Sequence, residues 1–137
     1  MSTALSMLSD LPLFSSLSAR QMRKMLKSTN EDSYESGDFI LRQGGRTQSL
    51  FIVLEGTVSV IRDGQKVATR KPGEFIGEIS MIDMRPRTAS AVADGPVRCL
   101  VLPNDALREL VMQDPHVAWA LLTTLASRLR DIDDLST

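Results

Sequence analysis

The chain has 137 residues, of which 42% are hydrophobic and 24% charged, a size and balance that fit one globular domain and exclude two. Sixteen basic residues against seventeen acidic ones leave a net charge of −1, so no global positive field favours nucleic acid or an anionic membrane. A single cysteine and a single histidine exclude a disulfide framework and the multi-cysteine zinc sites, and they disfavour histidine-rich metalloenzymes such as cupins.

The first predicted element is a helix. Ser18 and Gln21 have the spacing of a capping box, in which each side chain bonds the other residue's backbone N–H. Met22 and Met25 then begin an apolar stripe with helical spacing. The pattern predicts a helix over about 18–29.

From Tyr34 onward the apolar residues alternate with a period of two, and glycines divide them into short segments, a pattern typical of an antiparallel all-β fold. Asp63-Gly64 between two alternating segments is the signature of a type I′ hairpin, since both central residues of that turn need positive φ. Several such strands close most simply into a roll or small barrel. The predicted strands are 39–41, 50–54, 57–62, 65–70, 90–93 and 97–102.

After Pro103 the pattern returns to helix. Asn104 is placed to cap a short helix, and Asp114-Pro115 begins a longer one. The longer helix carries an apolar stripe formed by Leu121, Leu122, Leu125, Leu129 and Ile132. The predicted order is therefore helix, β-roll, helix, helix.

About twenty residues, 71–90, interrupt the strands, a length more typical of a functional loop than of a simple connection. Gly77 permits a tight turn, and the residues after it can form one or two helical turns whose free N–H groups suit an anion. Arg87 can bind phosphate oxygens bidentately, and Glu78 can accept hydrogen bonds from a sugar hydroxyl. Taken alone, Glu78 and Arg87 also fit a surface ion pair.

The segment Ile76-Gly77-Glu78-Ile79-Ser80, followed by Arg87-Thr88-Ala89-Ser90, resembles the phosphate-binding cassette of the cyclic nucleotide-binding domain family. That family includes the catabolite activator protein, kinase regulatory domains and gated channels. The resemblance runs from about 11 to 132, and its further matches are Pro12–Phe14, Arg42–Gly44 and Leu50–Gly56. It implies an eight-stranded antiparallel β-roll, or jelly roll, with an N-terminal helix and C-terminal lid helices.

The resemblance implies one domain over 1–137, with an N-terminal helical part at about 8–30, the roll at about 33–103 and C-terminal helices at about 104–134. It also implies a ligand site in which Glu78 bonds the ribose 2′-hydroxyl and Arg87 neutralises the cyclic phosphate. The remaining implied contacts are the backbone amides of Gly77, Ile79, Ser80 and Ala89, and the hydroxyl or amide of Thr88. Arg130 or Ile132 on the last helix is the implied base or lid contact, although an apolar residue at 132 departs from the catabolite activator pattern.

The expected function is that of a non-enzymatic receptor that binds a cyclic nucleotide and signals by moving the C-terminal helix. Cyclic AMP is favoured over cyclic GMP, although Thr88 after the cassette arginine is also similar to cyclic-GMP-dependent kinases. We expect no catalytic residues, no metal and no cofactor. A homodimer through the C-terminal helix, and a ligand-independent interaction module with the same fold, stay open as alternatives.

The chain ends at 131–137 in seven mostly acidic or polar residues, so we expect no helix-turn-helix and no direct DNA binding. Apolar runs such as Leu50–Leu54 are far too short to span a bilayer, and no basic residue precedes Arg20 to form a signal-peptide n-region. We therefore expect a cytoplasmic chain. The downstream partner stays open.

Overall fold

The computed structural model describes residues 2–136, without the side chains at 2–5, 79 and 132–136. The chain forms two compact units, a helical unit of Met1–Lys24 with Leu107–Thr137 and a sheet unit of Met25–Ala106. In chain order the elements are α1 (Ser2–Ser9), α2 (Ala19–Leu26), β1 (Asn30–Tyr34), β2 (Phe39–Leu41), β3 (Leu50–Arg62), β4 (Gln65–Arg70), β5 (Phe75–Ile76), α3 (Glu78–Asp83), β6 (Ser90–Leu102), α4 (Asn104–Gln113) and α5 (Pro115–Ser136).

In the helical unit, the predicted capping box is present. The Ser18 N–H donates to Oε1 of Gln21 at 2.9 Å, and the Gln21 N–H donates to Oγ of Ser18 at 3.1 Å. The helix that this box begins, α2, ends at Leu26 rather than at 29. The other helix of the N-terminal segment, α1, was not predicted. Within the described residues, no helix has the length and apolarity needed to cross a bilayer.

The sheet unit is antiparallel, with strand order β1-β6-β3-β4, and with β2 paired to β6 and β5 paired to β3. The predicted class, an antiparallel β-roll with flanking helices, is confirmed. The described strands number six, whereas the resemblance implies eight. Four of the six segments predicted from the pattern join in pairs into β3 and β6, which have 13 residues each. β1 and β5 were not predicted. The pairing register shifts on either side of Glu55, so β3 continues through a bulge instead of stopping there.

Two glycines permit this path. Gly56 lies at the bulge with φ of 86°, and a Cβ there would collide with the carbonyl oxygen of Pro96. At the β3–β4 turn, Asp63 and Gly64 have φ of 52° and 79°, as the type I′ prediction requires. The core of the sheet unit lies between these strands and consists of Ile40, Leu41, Phe51, Val53, Val58, Ile76, Ala91, Ala93, Val97 and Cys99.

Candidate anion-binding site

The predicted loop between β4 and β6 contains a short strand and a single helix of six residues. β5 pairs with the start of β3, with Ile76 opposite Phe51, so the chain leaves the sheet at Gly77. Gly77 has φ of 89°, and α3 begins at the next residue, Glu78. The side chains of Glu78 and Ser80 are buried, with 6% and 2% of their surface exposed. The segment thus places two polar side chains inside the sheet unit beside a sharp backbone turn.

Arg87 returns to this turn from the other end of the loop. Arg87 is 3% exposed, and its guanidinium donates from Nη1 to the Gly77 carbonyl and from Nη2 to the Ser49 carbonyl, both at 2.8 Å. Nε and Nη2 also donate to the hydroxyl of Thr47 at 3.3 Å each. Because β5 pairs with β3, the Gly77 and Ser49 carbonyls lie near each other, and the guanidinium joins them.

The backbone of Arg87 is fixed as well. The Gly44 N–H donates to the Arg87 carbonyl and the Arg87 N–H donates to the Gly45 carbonyl, both at 2.8 Å. Gln43 anchors this glycine pair to the β3–β4 turn, because its side-chain amide donates to the Asp63 carboxylate and accepts from the Asp63 N–H, at 2.8 and 2.9 Å. The loop before β3 therefore holds Arg87 by its main chain as well as by its side chain.

The electrostatics of Arg87 favour an anion. Burial lowers the pKa of the guanidinium from its ordinary 12.5 to about 10. Its acceptors in the described part of the chain are two carbonyls and a hydroxyl, none of which carries a charge. A buried cation whose partners are all neutral keeps a large unfavourable desolvation energy, which a bound anion offsets. The arrangement can therefore bind an anion such as a phosphate.

The two charged residues that the sequence singles out meet at one turn, since Glu78 directly follows the glycine whose carbonyl Arg87 bonds. The interpretation of Glu78 and Arg87 as a surface ion pair is wrong, because both side chains are buried. Thr88 is exposed, and its carbonyl accepts from Nε of Arg62 at 3.3 Å. Ala89 is half-buried beside it.

The structure does not test the contacts predicted for Ile79, Arg130 and Ile132. Ile79 lies within α3, but its side chain, like that of Ile132, is outside the described residues. Arg130 is exposed on α5, in the helical unit. The roles expected of Arg130 and Ile132 as base or lid contacts stay predictions.

Sequence reasoning missed Thr47 and Ser49. They lie 40 and 38 residues before Arg87, and no periodicity or local motif in 42–49 marks them as its partners. The pairing of β5 with β3 brings them together, and the sequence pattern did not predict β5 as a strand. The one available signal was the Arg42–Gly44 match to the family pattern, which pointed to the loop but to no role within it.

Comparisons with known proteins agree with this geometry. Residues 31–114 match the family described as "Cyclic nucleotide-binding domain". The cyclic AMP receptor protein of Thermus thermophilus is 35% identical over 127 residues, which cover 89% of this chain and 59% of that protein. The cAMP-dependent protein kinase regulatory subunit of Yarrowia lipolytica is 29% identical over 123 residues, covering 90% of this chain and 33% of that protein.

A solved structure agrees as well. The crystal structure of a cyclic nucleotide-binding domain from Methylobacillus flagellatus aligns with a TM-score of 0.81 and 32% identity, covering 97% of this chain and 80% of that one. The chain thus spans about a third to three fifths of the two curated relatives, and most of the length of the solved domain.

Proposed function

The chain belongs to the cyclic nucleotide-binding domain family, and from that premise we propose that it is a receptor whose buried Arg87 binds the phosphate of cyclic AMP. The observation that carries this proposal is that Arg87 is 3% exposed and that its guanidinium has only neutral acceptors in the described part of the chain. A cyclic monophosphate supplies the single negative charge that this cation needs, and charge-assisted hydrogen bonds to it contribute about 1.5–3 kcal/mol each.

The other contacts follow from the position of α3. Glu78 accepts a hydrogen bond from the ribose 2′-hydroxyl, since its carboxylate is buried next to the turn that Arg87 contacts. Backbone N–H groups complete the phosphate site together with Thr88, which contributes its hydroxyl or its amide. These backbone donors are Gly77, Ile79, Ser80 and Ala89.

Cyclic AMP is the preferred ligand, because the relative at 35% identity is named a cyclic AMP receptor protein. Another relative is named a cAMP-dependent protein kinase regulatory subunit. The exposed hydroxyl of Thr88 supports cyclic GMP as the second choice. Arg130 or Ile132 completes the base contact.

The response to ligand is a change in the position of the C-terminal helix, with no chemical step. Within the sheet unit, the side-chain amide of Asn104, the first residue of α4, donates to the carbonyl of Met81 in α3. A ligand that shifts α3 therefore acts on the start of the helical segment that continues into α5. The effector is a protein or domain that distinguishes the two positions of this helix.

A second function is favoured by one observation, an apolar stripe on the exposed side of α5. Trp119, Leu122 and Leu129 are 72%, 56% and 59% exposed, and with Ala126 they follow the alternating three- and four-residue spacing of a coiled-coil seam. A ligand-independent homodimer would bury this stripe. Sedimentation at several concentrations, with and without nucleotide, tests it: a dimer that nucleotide does not change favours this second function.

The experiment that tests the receptor is a calorimetric titration of refolded protein, freed of copurified ligand, with cyclic AMP, cyclic GMP and linear 5′-AMP. We expect saturable binding of cyclic AMP, weaker binding of cyclic GMP and little binding of 5′-AMP, whose two charges and open phosphate do not match one guanidinium. Absence of heat and of thermal stabilisation with either cyclic nucleotide would refute the receptor function and leave the interaction module.

A further inference from the structure

The guanidinium of Arg87 has five N–H donors, and four of them already have acceptors in the described part of the chain. The Thr47 hydroxyl oxygen accepts two hydrogen bonds, from Nε and Nη2, at 3.3 Å each. The Gly77 carbonyl accepts one from Nη1 and the Ser49 carbonyl accepts one from Nη2, both at 2.8 Å. One N–H of Nη1 is left. A phosphate that binds arginine bidentately needs two parallel N–H groups, so one of the present acceptors has to leave.

Nε and Nη2 form one of the two edges of a guanidinium that present parallel N–H groups, and the hydroxyl of Thr47 occupies that edge. It is the acceptor most easily displaced. Its side chain is exposed, its two hydrogen bonds are long, and rotation about χ1 moves it away. The two carbonyls belong to the backbone, bond at 2.8 Å and cannot turn away without moving β3 or Gly77.

We propose that the Thr47 hydroxyl is a placeholder that holds the Nε and Nη2 edge of Arg87 in the free protein and gives it up to a phosphate oxygen of the ligand. This inference rests on the proposed cyclic nucleotide function. The exchange replaces a neutral acceptor by a charged one beside a buried cation, so it is favourable. The free energy of the Thr47–Arg87 contact is subtracted from the affinity for ligand, because the contact exists only in the free state.

The sign of one mutational effect follows. Thr47→Ala removes the competing hydroxyl and so lowers the Kd for cyclic AMP by about three- to tenfold, the size of one modest hydrogen bond. Thr47→Ser keeps the hydroxyl and leaves the Kd within about twofold of wild type. A Thr47 that contacted the ligand directly, or that only supported the loop, would give the opposite sign, since its removal would then weaken binding.

The experiment titrates the refolded full chain and both variants with cyclic AMP, and records the Arg87 Nε–H resonance by NMR in each state. The placeholder predicts that free Thr47→Ala differs from free wild type at this resonance, that the two bound spectra coincide, and that the variant binds more tightly. Equal or weaker binding by Thr47→Ala would overturn the placeholder and leave the receptor function standing. If wild type itself binds no cyclic nucleotide, both proposals fall.

Discussion

At the scale of single residues, the site depends on how Arg87 is buried. The charge of a surface arginine is solvated by water, but Arg87 is 3% exposed, and its burial lowers its pKa to about 10. The four described hydrogen bonds fix the guanidinium without supplying a negative charge. The protein therefore holds an oriented cation in place before any ligand arrives, which reduces the cost of ordering the site on binding.

The position of the Arg87 guanidinium leaves no room for a side chain at Gly77. A Cβ there would lie 2.6 Å from Nη1 of Arg87 and 3.0 Å from the Ser49 carbonyl oxygen. Gly77→Ala should therefore weaken cyclic AMP binding at least tenfold, or about 1.4 kcal/mol, in a calorimetric titration. Gly64→Ala is the matched control, because Gly64 has a similar φ of 79° but nothing within 4 Å of its added Cβ.

Both substitutions carry the strain of an alanine at positive φ, about 1–2 kcal/mol of unfolding free energy. Only Gly77→Ala adds the collision with Arg87. If both variants bind cyclic AMP equally well, the close approach of Arg87 to Gly77 has no part in ligand recognition.

At the scale of elements, the site is assembled by three segments that are distant in sequence. The β5–α3 turn supplies Gly77, the loop before β3 supplies Thr47 and Ser49, and the start of β6 follows Arg87. Gln43 connects the loop to the β3–β4 turn at Asp63. That turn is therefore part of the support of the site, although its residues have no predicted role in binding ligand.

The hydrogen bonds between Gln43 and Asp63 should affect the affinity for cyclic AMP. Gln43→Ala removes two hydrogen bonds of 2.8 and 2.9 Å to Asp63 and should loosen the glycine pair that holds the Arg87 backbone. We expect cyclic AMP affinity to fall about fivefold, the effect of losing roughly 1 kcal/mol. Amide hydrogen exchange at Gly44 should also become faster.

Gln65→Ala is the control, since Gln65 is an exposed glutamine at the other side of the same turn. An affinity for cyclic AMP that is the same in both variants would show that the β3–β4 turn does not support the site.

Features that depend on neighbouring residues could be predicted from the sequence, whereas contacts between distant segments could not. The capping box at Ser18 and the turn at Asp63-Gly64 are short local patterns, and both formed as predicted. The segments 50–54 and 57–62 were predicted as two strands, but a bulge at Glu55 lets β3 continue through both. Thr47 was missed because its contact with Arg87 depends on strand pairing across 40 residues, and a contact at that distance leaves no periodic signal.

At the scale of the whole molecule, the stability of the sheet unit depends on pH through groups buried in it. Cys99 is fully buried in the core on β6, and desolvation, together with the charge of Asp32, raises the pKa of its thiol from 9.0 to about 12. Desolvation also raises the pKa of Tyr34. Above pH 9 the unfolded chain loses the Cys99 proton while the folded chain keeps it, so the stability falls as pH rises towards about 12.

Cys99→Ala removes this contribution. The free energy of unfolding of wild type should fall more steeply between pH 9 and 12 than that of the variant, by at most about 1.4 kcal/mol per pH unit. Arg87, whose pKa is lowered to about 10, acts in the opposite direction above that pH, but it is present in both proteins and cancels in the comparison. Denaturant unfolding at several pH values measures the two slopes. Parallel slopes would contradict the assignment to Cys99.

The central claim is that the buried charge of Arg87 binds the phosphate of a cyclic nucleotide. The measurement that tests it most directly is a calorimetric titration of the refolded wild type, Arg87→Ala and Arg85→Ala with cyclic AMP, with a thermal melt of each protein without ligand. Arg85 is the matched control because it is an exposed arginine two residues away.

We predict saturable binding by wild type, a Kd within about twofold for Arg85→Ala, and a loss of roughly 2–5 kcal/mol for Arg87→Ala in a protein that still melts cooperatively. Binding by a folded Arg87→Ala protein that equals that of wild type, or an equal loss in both variants, would contradict the account.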